Sequence, residues 1–170
     1  KRQAHNALKA PEEDFDAGTS RSQIITADAQ LQVPFVAGNQ RLRYIGGWRA
    51  QWNRTSLVPQ DRFSIGGRYR VRGFEGDNIL SADRGWTLRN EVGLSLGQTG
   101  QELYAGIDYG EVSGQASECL IGQRLAGAVV GIRGGYKGLS YDWSFGTPLK
   151  KPDGFETANV TSAFNVIWSF

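Results

Sequence analysis

Residues 66–76 read GGRYRVRGFEG and place four glycines and three arginines in eleven positions. Two chemistries suit such a stretch. A glycine-rich loop between a strand and a helix cradles phosphate with its backbone N–H groups. Alternatively, an arginine at the tip of a glycine-hinged loop presents a planar, five-donor cation that fits a carboxylate. No amphipathic helix follows residue 76, so the phosphate reading lacks its context. From the residues alone Arg72 reads as an arginine on an exposed loop with no fixed partner, or as such a cation, with Val71 and Phe74 as apolar neighbours and Gly66, Gly67, Gly73 and Gly76 as points where the backbone can turn tightly.

Other reactive chemistry is scarce. A single cysteine, Cys119, excludes an internal disulfide and a cysteine zinc cluster. A single histidine, His5, has no companions for a metal site or a triad, and reads as an incidental polar residue. Glu12, Glu13, Asp14 and Asp16 lack calcium-loop spacing and read as a solvated loop. There is no Gly-x-Ser-x-Gly, so no enzyme, metal or cofactor is expected. The net charge of +2 offers no electrostatic case for nucleic acid.

The elements that would position Arg72 follow a period of two, the mark of strands with one apolar and one polar face. In 41–53, Leu42, Tyr44, Trp48, Ala50 and Trp52 oppose Arg41, Arg43, Arg49, Gln51 and Asn53, with Ile45 an apolar intruder. Segments 23–33, 86–96 and 139–147 alternate in the same way, as does the C-terminal stretch through Phe164, Val166, Trp168 and Phe170. Segments 102–113 and 125–134 alternate less cleanly, and the second is rich in Gly and Ala. Seven strands and no convincing helix are expected, making an all-β chain.

A soluble sandwich or ligand-binding barrel would turn the charged faces to water, whereas a membrane barrel would turn them to a wet lumen. Connection lengths favour the barrel. Short turns at 34–39, 97–100 and 135–137 alternate with long polar connections at 54–84, 114–124 and 148–158, the asymmetry of an up-and-down outer-membrane barrel. The tryptophans Trp48, Trp52, Trp86, Trp143 and Trp168 suit an interfacial girdle. Seven strands do not close such a barrel, and an open edge is not tolerated in lipid. The chain also has no initiator Met or signal peptide, so a segment of a larger protein is expected.

Residues 63–92, FSIGGRYRVRGFEGDNILSADRGWTLRNEV, resemble the signature of two-partner secretion transporters, the hemolysin-activator branch of the Omp85 superfamily. Four pieces carry the resemblance: Gly66-Gly67; Val71-Arg72-Gly73-Phe74; Asp83-Arg84-Gly85-Trp86; and Arg89-Asn90-Glu91. Within LYAGIDYGEV (103–112), Asp108 and Gly110 match the family's Asp-x-Gly. The wording is most like hemolysin and contact-dependent-inhibition exporters.

The resemblance implies that residues 1–170 are the C-terminal part of a transmembrane barrel of about sixteen strands, with the N-terminal barrel half and the periplasmic POTRA domains absent. It implies a Gram-negative outer-membrane location and translocation of a large unfolded exoprotein. Its partners would be that exoprotein, outer-membrane lipid and, during biogenesis, the barrel-assembly machinery. An insertase of other outer-membrane proteins is the alternative within the superfamily. The loop at about 54–85 would fold into the lumen, with Arg72 held by Asp108 and Glu91 a competing carboxylate. Gly106 and Gly110 would leave room for it, and Asp83 and Arg84 would shape its return. Arg89 and Glu91 could instead simply satisfy each other or neighbouring strands. Trp168 and Phe170 would form the C-terminal assembly signal.

Overall fold

A computed structural model describes residues 22–67 and 69–169. His5, the acidic residues 12–16 and Phe170 therefore lie outside the described residues. Seven long strands form one antiparallel sheet: β1 (Ile24–Ala37), β2 (Gln40–Asn53), β5 (Arg84–Ser95), β6 (Gln101–Ser113), β7 (Arg124–Tyr136), β8 (Leu139–Lys150) and β9 (Thr161–Trp168). Their spatial order is β1-β2-β5-β6-β7-β8-β9, so each strand pairs with its neighbour in the sequence. This is the up-and-down antiparallel order expected from the alternation.

Two boundaries differ from the sequence expectation. The segment 34–39 is mostly strand: β1 runs on to Ala37 and turns at Gly38 and Asn39, with Pro34 opposite Arg43. Within this sheet Pro34 sits in an edge strand, where a missing N–H is tolerated. The turn placed at 135–137 falls instead at Lys137 and Gly138, both at positive φ. Strand β7 continues to Tyr136, opposite Leu139.

The long connection after β2 is not featureless. It carries a small hairpin, β3 (Phe63–Ile65) paired with β4 (Leu80–Ala82). Three-residue strands are too short to show as a period, yet Phe63, Ile65, Leu80 and Ala82 are all buried. With Val71 and Phe74 they pack against Val112 of β6, Leu125 of β7 and Phe155 of the β8–β9 connection. A fully buried Val, Leu or Phe side chain contributes about 1.5–3 kcal/mol, so this cluster gives the connection a core of its own.

That core lies on the polar face of the sheet. The register puts Ile45, Glu91, Gly106 and Val129 in one cross-strand row on this face. The opposite face is apolar and bare: Leu31, Trp48, Leu88, Ile107, Val130 and Phe164 are all exposed. A soluble sandwich would bury these residues, so that alternative does not describe the chain. A continuous uncovered apolar face of this size calls for a nonaqueous neighbour. Trp52 and Trp86 stand near the long-connection end of this face and Trp168 at the short-turn end, as interfacial aromatics do.

Candidate functional site

Arg72 sits on the central strands of the sheet, β5 to β7, held there by the glycine-hinged loop. Gly66, Gly73 and Gly76 all have positive φ, at 100°, 105° and 96°. Gly67 does not, and a side chain there would meet nothing within 4 Å, so its expected role as a tight turning point is not what the structure shows. At Gly73 a Cβ would also lie 2.5 Å from the Thr147 carbonyl oxygen of β8. Only glycine satisfies both the backbone angle and this approach.

The wall is cut to receive the loop. A Cβ on Gly106 would lie 2.7 Å from Arg72 Nη2, and one on Gly110 would lie 2.9 Å from Ile65 and Val71. On β7, a Cβ on Gly127 would overlap the backbone oxygen of Arg72. Sequence reading named Gly106 and Gly110 but missed Gly127. The Gly and Ala content of 125–134 had counted against a strand, when it was the signal for a groove.

In that groove Arg72 is 8% exposed, Asp108 1% and Glu91 3%. Asp108 Oδ2 accepts the backbone N–H of Arg72 at 2.9 Å and its Nε–H at 2.7 Å, while Oδ1 accepts from Nη2 at 2.8 Å. Arg72 Nη1 donates to Glu91 Oε2. Both carboxylates therefore engage Arg72 and neither displaces the other. Burial disfavours the charged guanidinium, but Asp108 and then Glu91 outweigh it and hold the Arg72 pKa above its ordinary value. Taking one partner from a buried ion pair costs roughly 3–5 kcal/mol, because the other is left uncompensated.

Glu91 has a further partner that sequence reading did not name. Arg133 of β7 places Nη2 2.8 Å from Glu91 Oε1, donates to Glu102, and stacks 4.6 Å over the Tyr104 ring. Arg89, one mate considered for Glu91, is only a distant contact at 3.9 Å with a half-exposed side chain. Of the two arrangements left open for Glu91, the one found is pairing with a neighbouring strand, through Arg133, with Arg89 peripheral. Register explains the difference: Arg89 lies opposite Asp108 and Gly47, while Glu91 lies beneath the loop tip.

The other signature residues hold the frame. Asp83 accepts from the backbone N–H of Ala116 at 3.0 Å and of Leu57 at 3.4 Å, joining the ends of two long connections. Arg84 donates to Asn53 Oδ1 at 2.7 Å. At Gly85 a Cβ would lie 2.9 Å from the Glu111 carbonyl. Trp86 packs on Tyr109 with ring centroids 5.2 Å apart. Asn90 points to the bare face and accepts from the Tyr44 hydroxyl at 2.7 Å. Trp168 is exposed on that face. Cys119 is an exposed free thiol in the β6–β7 connection.

A second layer closes over the tip. Phe155, from the β8–β9 connection, meets Phe74 edge-on at 5.8 Å. Glu75 accepts the Ala158 N–H at 3.1 Å, and Asn78 donates to the Glu156 carbonyl at 2.9 Å.

An antiparallel wall with a bare apolar face, and a charged face covered by a folded-in loop, defines a transmembrane β-barrel of the outer-membrane type. Residues 2–134 match the family model of the haemolysin secretion/activation protein ShlB/FhaC/HecB, and the chain belongs to that family. It is 41% identical, over 89% of its length, to the outer membrane transporter CdiB-2 of Burkholderia pseudomallei, and 30% identical over 85% to CdiB of Escherichia coli. The structure of CdiB from Acinetobacter baumannii superposes with a TM-score of 0.81 at 33% identity, covering 86% of this chain and 27% of that one. CdiB from Escherichia coli superposes at 0.78 with 25% identity, covering 95% and 30%. The chain spans about a quarter of the length of the curated relatives, 27% and 25% of these two. The relatives are outer-membrane transporters of Gram-negative bacteria rather than enzymes. The bare face is accordingly the lipid face.

Proposed function

We propose that this chain is the C-terminal part of the barrel of a two-partner secretion transporter, which moves a large unfolded exoprotein across the outer membrane. The rest of the barrel and the POTRA domains belong to the remainder of that protein. The polar inner face solvates the extended chain in transit, and the connection between β2 and β5 occupies the lumen at rest. Arg72 holds it there, and the connection gives way when the exoprotein arrives. Outer-membrane lipid surrounds the apolar face, and the barrel-assembly machinery inserts it.

The observation that carries this reading is the buried Arg72, with Asp108 and Glu91 satisfying it on the lumen face. Asp108 stands on β6, in the middle of the sheet and away from both edges. An insertase would act at an edge, where incoming strands pair, and nothing at this central site favours that alternative.

The test is export. The full-length parent is expressed with the exoprotein encoded beside it, and released exoprotein is measured in the medium. Release that depends on the parent supports the transporter; equal release without it, from cells with intact envelopes, overturns the reading.

A further inference from the structure

The lumen face carries a second charged cluster at the short-turn end of the sheet. A cleft of about 520 Å³ opens there among Arg41, Arg43, Glu102, Arg133 and Asp142. Its carboxylates are engaged. Glu102 accepts from Arg43 at 2.9 Å and from Arg133 Nε at 2.8 Å, and Asp142 accepts the Tyr104 hydroxyl at 2.6 Å. Its donors are not all used. Arg41 has no hydrogen-bond or ion-pair partner among the described residues, and Arg43 Nε is buried without one. Three arginines face two carboxylates in this cleft, and Arg41 is exposed there, so it has guanidinium capacity for an anion, and the planar fork suits a carboxylate.

The cleft is also wired to the loop tip. Arg43, Glu102, Arg133, Glu91 and Arg72 alternate in sign, each in contact with the next. Arg133 is the shared member, serving Glu102 on the cleft side and Glu91 on the loop side.

We propose that this cleft binds an acidic side chain of the polypeptide in transit, and that Arg133 transmits its arrival to Arg72. The inference rests on the transport reading. A carboxylate arriving in the cleft competes for Arg133 and draws it from Glu91. Glu91 and Asp108 then share Arg72, with Arg89 only a distant, half-exposed contact, and such a buried site tolerates the weakened compensation poorly. The cluster opens, and the loop tip is released. Arg133 is in this sense a positioning residue for the Arg72 contact.

The test uses the full-length protein in detergent with fluorescent hexaglutamate and hexaglutamine peptides, at a salt of about 0.15 M. Hexaglutamate is expected to bind in preference to hexaglutamine. Arg41→Gln and Arg133→Gln should each weaken it about tenfold, as loss of a charge-assisted hydrogen-bonding group does. Arg49→Gln removes the same charge from the lumen face, where Arg49 pairs with Asp28 at 3.0 Å far from the cleft, and should leave binding unchanged. Arg41 makes no hydrogen bond or ion pair among the described residues, so its variant keeps the test sound if Arg133→Gln misassembles.

Amide exchange reads the second half. Hexaglutamate should speed exchange at residues 69–74 in the parent, and should not in Arg133→Gln. Equal binding of the two peptides, or equal weakening by Arg49→Gln, overturns the cleft. Unchanged exchange in the parent overturns the role of Arg133. Export by the parent distinguishes these failures from that of the transport reading, because it requires neither peptide.

Discussion

Asp108 binds the backbone of Arg72 as well as its side chain: one carboxylate accepts the amide N–H and two guanidinium donors. The contact thus fixes the position of the loop as well as satisfying a charge. Exchanging the two residues would not reproduce it, because an arginine at 108 cannot accept the amide. Arg72→Asp/Asp108→Arg is therefore expected to stay close to the single variants in resting pore conductance, with little recovery. Full recovery by the exchange would show that charge alone matters.

Gly127 tests the seat without touching a charged group. A Cβ at this position collides with the Arg72 carbonyl, so Gly127→Ala should displace the loop tip and raise resting conductance while Arg72, Asp108 and Glu91 remain. Gly67→Ala has open space and an ordinary backbone angle, and should conduct like the parent. Planar-bilayer recordings of the purified full-length variants make the comparison.

Phe155 supports the tip from above. It is buried against Phe74 in the loop core, and replacing a buried Phe by Ala costs about 3–5 kcal/mol. Phe155→Ala is expected to loosen residues 63–82 toward protease while the seven-strand wall stays resistant. Limited proteolysis in detergent would report both, and a loop as resistant as the parent's would count against the clamp.

The lipid face makes a different demand. Val130 is exposed on it, opposite Ala105 and Phe145. A lysine near the membrane midplane costs about 2–4 kcal/mol, so Val130→Lys should lower the folded fraction in heat-modifiability gels. Gln30→Lys, on the polar face of β1, should not. Equal effects would mean that the faces are assigned wrongly.

Much of this was legible from residue order. Alternation in 41–53 assigned Leu42 and Trp48 to one face and Arg43 and Arg49 to the other, as the register has them. The resemblance carried by residues 63–92 and 103–112 pointed to both Arg72 and Asp108. What the order of residues hides is which side chains meet across strands. Glu91 and Arg133 are 42 positions apart, and only the register of β5, β6 and β7 brings them together. Gly127 read as a weak strand residue because its role depends on what packs over it. Likewise β3 and β4 are paired by the loop core, and three residues cannot display a period.

The most direct measurement is a double-mutant cycle on exoprotein export by the full-length parent, using Arg72→Ala, Asp108→Ala and the pair, with barrel assembly checked for each. If one contact positions the loop, each single variant should lower export by about tenfold or more, as loss of a buried ion-pair partner permits. The double variant should then be no worse than the singles. Additive losses, or export at the parental level from assembled single variants, would contradict the account.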